Sequence, residues 1–485
     1  MKRRGVSSVS VQLAARFSPL AGRPGGGALA ALQNQQPSFA LLSSARLFSS
    51  ATPPSSSSSA ADDPAKPTVL IAGSNVAALT LALCLKEHGI ASEIVQHHTN
   101  PERFAAMGSF LPINAMRVME KLGLREEIEA QGCRVDKLVH AMANGDTLGR
   151  IPYGDLSQRY NNIPNIGIRT SDLIQILNQA LRKRTAKHPS LVTKSMVSKG
   201  AVSSMVTDEQ TQKVTCRFTE GRPTKEYDVV VGADVLTAEE MLPSLRTWYT
   251  NKKNTVKHYN YAIWSAILPR PVELPDNYAV ELLGTPGRIG MIPVSKKEVY
   301  VWAQALPTPL GINTRLLRSG TKDSIMFPKD QWPRFTAYGA PEVIKAFQST
   351  SQKLWVDYPI DLVMPSFFTG NTALIANAAH KIAPFPQQDT ALDIEDAWTL
   401  ASSLASSSSS SSPIREALQE YSNKRVGRVK QVAAIAERDG EKSEVRDAGW
   451  TSLPAKLKRK VQLKMSHSDG ALRRRTDRLV SGFSL

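Results

Sequence analysis

The sequence is poor in cysteine and has no long apolar run. Its three cysteines, Cys84, Cys133 and Cys216, lie far apart, which excludes a disulfide framework or a closely spaced zinc site and favours a reducing compartment. No stretch reaches the roughly 20 consecutive apolar residues of a membrane-spanning helix. With 41% hydrophobic and 21% charged residues among 485, the composition indicates a globular chain with one large or two moderate domains.

Acidic residues are absent before Asp62, although the first sixty positions hold six basic residues and many serines and alanines. Such a segment predicts a mitochondrial transit peptide over residues 1–50. Residues 46–49 (RLFS) resemble a matrix-processing site, and a Ser-rich linker is expected over 51–66. A disordered tail with no targeting role is the alternative. We therefore expect a protein of the mitochondrial matrix or of the matrix face of the inner membrane.

Positive charge also accumulates towards the C-terminal end. The formal net charge is +17, and residues 451–485 hold nine basic and two acidic residues, clustered at 456–460 and 473–475. This composition predicts a basic tail over 441–485. The tail is either a solvated segment or a contact for an anionic membrane surface or an acidic subunit of a mitochondrial complex. Because no aromatic side chains are interleaved in these clusters, nucleic acid is not an expected partner.

Continuous apolar segments predict a parallel sheet. Residues 69–72 (VLIA) run into Gly73, an apolar helix follows up to His88, and residues 92–96 (SEIVQ) predict the next strand, which together make a βαβ unit. Residues 229–231 and 373–376 predict further buried strands. Helices are expected over 114–122, 171–183, 391–404 and 414–438, with a serine tract at 406–412 as a loop insertion.

Residues 250–365 follow a different pattern. Polar and apolar residues alternate in segments such as 259–268 and 298–302, which predicts an antiparallel sheet in a second layer. The sequence thus indicates an α/β fold built from three parts of the chain. These are a first part of the parallel-sheet domain over 67–250, an antiparallel part over 251–365, and a last part of the parallel-sheet domain with C-terminal helices over 366–440.

Three further motifs give the chain a resemblance to a known family. They are residues 112–124 (PINAMRVMEKLGL), residues 168–173 (IRTSDL) and residues 378–397, which begin AAH and end EDA. Together with the βαβ unit, their order and spacing over about 67–440 resemble the class A FAD-dependent monooxygenases, the family of para-hydroxybenzoate hydroxylase and the ubiquinone-biosynthesis hydroxylases. The resemblance implies a Rossmann-like FAD-binding domain with a parallel sheet, an antiparallel-sheet substrate domain, and FAD as cofactor.

The positions that this resemblance assigns to FAD depart from the family's motifs. The three glycine positions of the dinucleotide fingerprint hold Gly73, Asn75 and Ala78. Asn75 puts a side chain where the pyrophosphate should lie, whereas Ala78 is a mild change. Gln96 stands where an acid should bind the ribose hydroxyls, and a neutral amide lacks the charge-assisted part of that hydrogen bond. In the second motif Asp234 is retained after Gly232 and Ala233, but a valine follows it where the family has glycine.

The third motif differs on the flavin side of the site. Asn377 replaces an aspartate that accepts a hydrogen bond from the ribityl chain, and it can still accept one. Gln387 and Asp389 stand where the family has glycines, and a carboxylate at Asp389 would oppose negative charge on reduced flavin. The alternative role for Asp389 is an N-cap for a helix beginning at Thr390.

Arg169 is retained within the IRTSDL motif. The resemblance implies a place near the flavin, and a structural ion pair behind the βαβ unit is the alternative that stays open. No residue of 250–365 stands out as an acid, a base or a nucleophile, so no catalytic residue is assigned. Such hydroxylases use a flavin hydroperoxide as the reagent and position the substrate with scattered groups.

Three functions follow from these observations. The first is a pseudoenzyme, a non-catalytic structural or assembly subunit of a mitochondrial complex that binds FAD weakly or not at all. The second is an active FAD- and NAD(P)H-dependent monooxygenase that hydroxylates an aromatic or quinone-precursor substrate. The third is a protein that binds another ligand in the vacated cleft. The first is favoured because four or five substitutions at a nominal ~1 kcal/mol each would weaken FAD binding by roughly three orders of magnitude if they are additive.

Overall fold

The computed structural model describes residues 66–96, 101–187, 197–233, 257–258, 262–284, 287–305, 335–349, 355–357, 360–382, 387–406, 413–443, 468–483 and 485. The predicted transit peptide, most of the serine tract and the basic run at 456–460 lie outside these residues, and their predictions stay untested. Within the described ranges, no helix is both long enough and apolar enough to cross a membrane.

Five of the ten helices in the described ranges lie where the sequence predicted them, with ends that differ by a few residues, and the other five were not predicted. In chain order they are α1 (Val76–Glu87), α2 (Pro101–Ala106), α3 (Ile113–Lys121), α4 (Arg125–Gln131), α5 (Tyr153–Arg159), α6 (Thr170–Lys187), α7 (Ala340–Gln348), α8 (Asp389–Ser406), α9 (Pro413–Ser443) and α10 (Asp469–Ser481).

Within the described ranges the strands form two large sheets and three small ones. In chain order the strands of the described ranges are β1 (Thr68–Ala72), β2 (Ala91–Gln96), β3 (Gly108–Leu111), β4 (Cys133–Arg134), β5 (Lys137–Met142), β6 (Thr147–Ile151), β7 (Ile166–Arg169), β8 (Val197–Lys199), β9 (Val202–Thr207), β10 (Val214–Phe218), β11 (Lys225–Tyr227), β12 (Val229–Gly232), β13 (Lys257–His258), β14 (Ala262–Pro269), β15 (Tyr278–Leu283), β16 (Gly287–Pro293), β17 (Glu298–Ala305), β18 (Trp355–Asp357), β19 (Ile360–Val363), β20 (Phe368–Thr369), β21 (Thr372–Leu374) and β22 (His380–Lys381).

The first large sheet is parallel at its centre and has the strand order β20-β21-β12-β1-β2-β8. In the register of the central strands, Leu70 of β1 lies opposite Val230 of β12 and Glu93 of β2. Residues 69–72 and 229–232 are buried, because the strands of such a sheet are covered on both faces. Helix α1 packs against β2 and against α6 and α8. The α/β class expected from the continuous apolar segments is confirmed.

The second large sheet has the order β18-β14-β17-β16-β15-β5-β6. Its neighbouring strands are antiparallel except for β15 and β5, which run parallel. Strands β5 and β6 come from residues 137–151, which the sequence pattern assigned to the first part of the parallel-sheet domain. That boundary is corrected here, because pairing with β15 buries Val139 and Ala141 in the core of the second sheet.

The two faces of this seven-stranded sheet differ in character. One face is apolar and packs against α7, whose Val343 and Phe347 are buried in the same cluster. On the opposite face Leu138, Ala279 and Ile292 pack into the core of the parallel-sheet domain. Further along the same strands, this opposite face carries buried polar side chains. The two sheets are thus joined over only part of the second sheet.

Part of the predicted basic tail forms a helix that packs against the fold. Helix α10 lies against β6 and α3 and buries Leu472 and Leu479 in the main core. Arg428 of α9 donates a hydrogen bond to the backbone carbonyl of Leu479. Because its apolar residues recur at helical spacing, the segment packs one face and leaves Arg473 and Arg474 exposed on the other.

Candidate functional site

The turn between β1 and α1 brings the chain close to the end of β12. Gly73 has a φ of +127°, and a Cβ at this position would lie 3.0 Å from the carbonyl oxygen of Ala233. The Gly73 amide donates to the carbonyl of Val95, and the Ala233 amide donates to that of Ala72. Glycine is therefore required at position 73 both for its conformation and for the close approach of the two strands.

The strand order places a ligand crevice at this point. The chain passes from β1 to β2 on one side, whereas β12 lies on the other side of β1. Ligands of open parallel sheets bind outside the carboxyl ends of the strands where the order changes direction, with a pyrophosphate at the first helix N-terminus. The carboxyl ends of β1 and β12 and the start of α1 thus form the candidate cofactor crevice.

The Asn75 side chain spans this crevice. Its Oδ1 accepts a hydrogen bond from the backbone N–H of Ala78, and its Nδ2 donates to the carbonyl oxygen of Ala233 at 2.6 Å. The residue is 7% exposed and is the N-cap of α1. One side chain therefore uses an N–H group of the helix N-terminus and ties α1 to the end of β12. These two hydrogen bonds hold the Asn75 side chain at the place where the sequence analysis expected a pyrophosphate.

Other predicted cofactor positions lie around the same crevice. Ala78 lies in the first turn of α1 and is fully buried. Gln96 ends β2 half-buried, and its backbone carbonyl accepts a hydrogen bond from the Gly200 amide at 3.1 Å. Asp234 follows Ala233 directly but lies outside the described residues. The structure thus brings Asn75, Ala78 and Gln96 to the carboxyl side of the parallel sheet.

The start of α8 differs from the expectation for Asp389. The backbone carbonyl of Gln388 accepts the first helical hydrogen bond, from the Leu392 amide, so Gln388 occupies the N-cap position and Asp389 is the first helical residue. The predicted N-cap role of Asp389 is corrected, and its side chain is exposed. Gln387 has a φ of 51°, the left-handed conformation for which the family's glycine is suited.

Asn377 lies in a short 3-10 helix, Ala376–Ala378, directly after β21. Its side chain is half-buried. The preceding Ala376 is fully buried with a φ of 54°, and its amide donates to Asp396 Oδ2 at 2.8 Å. A non-glycine residue in this conformation is strained. The hydrogen bond to Asp396 stabilises this turn.

Asp396 and Glu395 of α8 form the centre of a buried ionic network. Asp396 accepts hydrogen bonds from His380 Nε2 at 2.7 Å and from Arg425 Nε at 2.6 Å. Glu395 accepts from a second nitrogen of Arg425 at 2.7 Å and from both Arg428 Nε and Asn114 Nδ2. The network joins α8, α9, α3 and β22 through side chains that are at most 6% exposed.

The charges in this network stabilise one another. Burial raises the pKa of Glu395, but the charges of Arg425 and Arg428 outweigh burial and lower it. Burial also raises the pKa of Asp396, but His380 and Arg425 outweigh burial and lower it. The same carboxylates hold the pKa of Arg425 above its usual value against the effect of burial. The sequence analysis noted Glu395 and Asp396 only as a family motif and missed both arginines. Their spacing of three on a long helix was the available signal, since it places them on one helix face.

Arg169 forms an ion pair with Glu298 that links β7 to β17. Arg169 Nε donates to Glu298 Oε2 at 2.8 Å, and a second guanidinium nitrogen donates to Oε1. Both side chains are 32% exposed. The structure thus contains the ion pair that the sequence analysis kept as an alternative to a place beside the flavin.

We expect Arg169→Gln and Glu298→Gln each to lower the free energy of unfolding by about 0.5–1 kcal/mol, because a partly exposed pair contributes little. The double variant should lose scarcely more than either single variant. Urea denaturation of all four proteins measures this coupling. FAD titration of Arg169→Gln in a chain with both glycines restored (Asn75→Gly/Asp389→Gly) should show unchanged affinity. A loss there would place Arg169 beside the flavin instead.

The polar part of the seven-stranded sheet is a second candidate site. His140 of β5, Glu281 of β15, Arg288 of β16 and Gln304 of β17 are buried on the face opposite α7. Trp302 shares that face, and its indole fills the space above Gly290, where a Cβ would lie 2.1 Å from the ring. The sequence analysis assigned no residue here. The only available signal was a charged residue within each of two otherwise apolar strands, 278–283 and 287–293.

Comparisons with known proteins agree with this geometry. A family model described as "FAD binding domain" matches residues 66–236. The 3-amino-4-hydroxybenzoate 2-monooxygenase of Streptomyces cremeus is 24% identical over 386 residues, which cover 78% of this chain and 88% of that protein. The aurachin C monooxygenase/isomerase of Stigmatella aurantiaca is 24% identical over 83% of this chain and 95% of that protein. The chain is thus similar to FAD-dependent monooxygenases over most of its length.

A solved structure shares the same architecture. The structure of HpxO from Klebsiella pneumoniae in complex with FAD and uric acid aligns with a TM-score of 0.67 at 18% identity, over 86% of this chain and 97% of that one. At this identity the likeness concerns the fold. It confirms the expected combination of a Rossmann-like parallel-sheet domain and an antiparallel-sheet domain.

FAD is the cofactor that this family implies, and the crevice has features for and against it. Gly73 keeps the close approach of the backbone that a pyrophosphate site needs. Against this, Asn75 occupies the gap between α1 and Ala233 with two hydrogen bonds. At the flavin side, Asp389 adds a negative charge to the first turn of α8.

Proposed function

We propose that this chain is a non-catalytic member of the class A monooxygenase family that binds FAD weakly or not at all. In this proposal it serves as a structural or assembly subunit of a mitochondrial complex. The observation that supports it most is the pair of hydrogen bonds from Asn75, which spans the crevice between β1 and β12. A glycine at this position would leave the space to the phosphate oxygens.

Negative charge at the start of α8 supports the same proposal. The N-terminus of a helix favours anions, and flavin enzymes of this fold use it to stabilise reduced flavin. Here Asp389 is followed one turn later by Asp393. Burial, together with the charges of Asp396 and Asp389, raises the pKa of Asp393 well above its usual range. The carboxylate of Asp389 in the first turn of α8 opposes the negative charge of a reduced, anionic flavin.

The scaffold around the crevice is intact, which suits a binding or assembly role. The buried network of Glu395, Asp396 and Arg425 fixes α8 against α9. On the last helix the exposed Arg473 and Arg474 are suited to an acidic protein surface or an anionic lipid surface at the matrix face of the inner membrane.

An active monooxygenase is the second candidate. It is favoured by the relatives, which are named as monooxygenases, and by the buried polar face of the second sheet. In this case the protein would use FAD and NAD(P)H to hydroxylate an aromatic or quinone-precursor substrate. Its residues would bind and orient that substrate, whereas the flavin would supply the oxygen chemistry.

An absorbance spectrum of the purified full chain, with and without added FAD, separates the two candidates. We expect no flavin absorbance as purified, no stoichiometric uptake after FAD is added and removed by gel filtration, and no substrate-dependent oxidation of NAD(P)H. In a native separation of mitochondrial extract, the protein should migrate above 52.9 kDa, the mass of one full-length chain. A stoichiometric flavin spectrum would overturn the non-catalytic proposal.

A further inference from the structure

The two acidic residues of helix α10 form contacts within the fold. Asp469 Oδ1 accepts a hydrogen bond from the backbone N–H of Arg150 in β6 at 2.7 Å. Asp477 Oδ1 accepts one from the Arg159 side chain of α5 at 2.5 Å. The remaining charged residues of this helix are all basic, so its own carboxylates are directed to neighbouring elements and its positive charges are left in excess.

The exposed side of α10 carries three arginines, Arg473, Arg474 and Arg478. None of them pairs with a carboxylate among the residues that the structure describes. On α9, by contrast, the exposed Lys424 pairs with Glu420. Because residues four apart on a helix are neighbours, with Cβ atoms about 6 Å apart, Arg474 and Arg478 point to the same side. We call the three arginines the arginine face.

The apolar side of α10 is already used by the fold. Leu472 and Leu479 are buried in the main core, Arg428 donates to the backbone carbonyl of Leu479, and Arg117 of α3 donates to the carbonyl of Phe483 at 3.1 Å. An amphipathic helix that lies in a lipid surface inserts its apolar face among the acyl chains. Helix α10 would have to leave the fold to do so, and a membrane would therefore attract the docked helix through charge alone.

The basic residues of α10 are all arginines. A lipid surface attracts arginine and lysine alike through their charge, whereas a planar guanidinium group donates two parallel hydrogen bonds to one anionic group. The docked helix holds Arg474 and Arg478 one turn apart, so little freedom is lost when both bind a surface with the same spacing. Carboxylates four residues apart on a helix have this spacing, but lipid head groups have no fixed one.

We propose that the arginine face of α10 binds an acidic helix of a partner protein, with carboxylates one turn apart opposite Arg474 and Arg478. A further carboxylate of that helix would lie near Arg473. Pairs of this kind select a partner and steer its approach, and salt weakens them because they are exposed. The inference rests on the proposed function in treating the chain as a subunit of a complex, and it specifies the chemistry of the partner.

Two helical peptides of equal composition and charge test the spacing. Both would be alanine- and glutamine-based and about 20 residues long, one with its glutamates at successive i, i+4 positions and the other with them spread around the helix. Fluorescence anisotropy of the labelled peptides with the full chain at low salt measures binding. We expect the patterned peptide to bind about five- to tenfold more tightly, with an advantage that shrinks at about 0.5 M salt. Equal binding of the two peptides, or no binding at millimolar concentration, would overturn the proposal.

A double variant and a matched control identify the residues responsible. Arg474→Gln/Arg478→Gln should weaken the patterned peptide about fivefold or more and remove its advantage over the other peptide. Arg182→Gln/Arg415→Gln removes the same charge from exposed arginines of α6 and α9 and should leave that advantage unchanged. Circular dichroism confirms that all three proteins are folded. An equal loss in the two double variants would show that net charge, not the arginine face, determines binding, which contradicts the proposal.

Anionic vesicles distinguish a lipid surface from an acidic helix. Co-sedimentation with vesicles of phosphatidylcholine and cardiolipin would compare the same two double variants. We expect both to sediment to the same extent, because charge attraction to lipid has no preferred spacing. Weaker sedimentation of Arg474→Gln/Arg478→Gln than of Arg182→Gln/Arg415→Gln would assign the arginine face to a lipid surface and overturn the proposal.

The outcome stays separate from that of the non-catalytic proposal. Flavin uptake and NAD(P)H oxidation decide whether the chain is an enzyme, whereas the peptide and vesicle experiments contain neither cofactor. A flavin-containing protein with the expected peptide preference would overturn the non-catalytic proposal and support the acidic-helix partner. A flavin-free protein that binds both peptides equally would overturn only the acidic-helix partner.

Discussion

Replacing Arg425 by Met is expected to lower the free energy of unfolding by about 3–5 kcal/mol, the effect typical of breaking a buried ion pair from one side. The guanidinium donates to Asp396 Oδ1 and Glu395 Oε2, and all three side chains are at most 2% exposed. Methionine fills a similar volume but leaves both carboxylates in the interior with one cation fewer. Urea denaturation followed by circular dichroism measures the loss.

The neighbouring residue offers a matched control. Lys424 pairs with Glu420 at 2.6 Å, but these side chains are 59% and 48% exposed. Lys424→Met should change stability by less than about 1 kcal/mol, because solvent screens an exposed pair. Equal losses for Lys424→Met and Arg425→Met would show that burial of the network does not determine its contribution.

The same network predicts the response to acid. The folded pKa values of Glu395 and Asp396 are lowered relative to unfolded values of about 4.3 and 3.9. Their contribution is therefore complete above about pH 4.5 and is lost as the pH falls through the folded pKa values. Arg425→Met raises these pKa values, so the stability gap between wild type and variant should narrow as the pH falls from about 7 to 4. Thermal unfolding midpoints of both proteins across this pH range test the prediction. A stability difference that grows as the pH falls would contradict it.

Restoring glycine at positions 75 and 389 is expected to tighten FAD binding about 10- to 100-fold. Removing the Asn75 side chain reopens the crevice beside Ala233, and removing the Asp389 carboxylate restores a helix N-terminus that favours anions. At a nominal ~1 kcal/mol for each change, the gain in affinity is roughly 30-fold. The fold should tolerate the change at position 75, since glycine in place of Asn at an N-cap costs only a few tenths of a kcal/mol. Flavin fluorescence quenching measures the affinity.

Asn75→Asp is the matched control for this variant. It keeps an acceptor for the Ala78 amide but puts a carboxylate beside the pyrophosphate, so FAD affinity should fall below that of the wild type. If Asn75→Asp, the wild type and the double glycine variant all bind FAD equally, Asn75 does not control access to the crevice, and the active-enzyme candidate gains support.

Much of the architecture was accessible from local patterns. The apolar run before Gly73 and the helix after it predicted a βαβ unit, because burial on both faces of a parallel strand requires continuous apolar residues. The alternation over 250–365 predicted the second sheet but not the strands that 137–151 add to it. Local alternation shows that a segment can form a strand, but it does not show which sheet the strand joins. The pairing of β5 with β15 is a long-range contact, so the sequence pattern could not reveal it.

The candidate site, too, was only partly predictable from the sequence. The sequence alone carried the resemblance to FAD-dependent monooxygenases, and it predicted departures from their motifs at Asn75, Gln387 and Asp389, since both follow from position within a motif. It could not show where the Asn75 amide makes its bonds, because Ala233 lies 158 positions away. The sequence also left two roles open for Arg169. In the structure this residue forms an ion pair with Glu298.

What the sequence determined by itself is the class of fold and the resemblance to FAD-dependent monooxygenases. Only the tertiary structure decided the partners: Asn75 with Ala233, Arg425 with Glu395 and Asp396, and the row of charges on the second sheet. The physical reason is that hydrophobic period and turn chemistry are local, and they fix which side chains face inward. Partners of buried polar groups are set by strand register and helix packing, which bring together residues far apart in the chain.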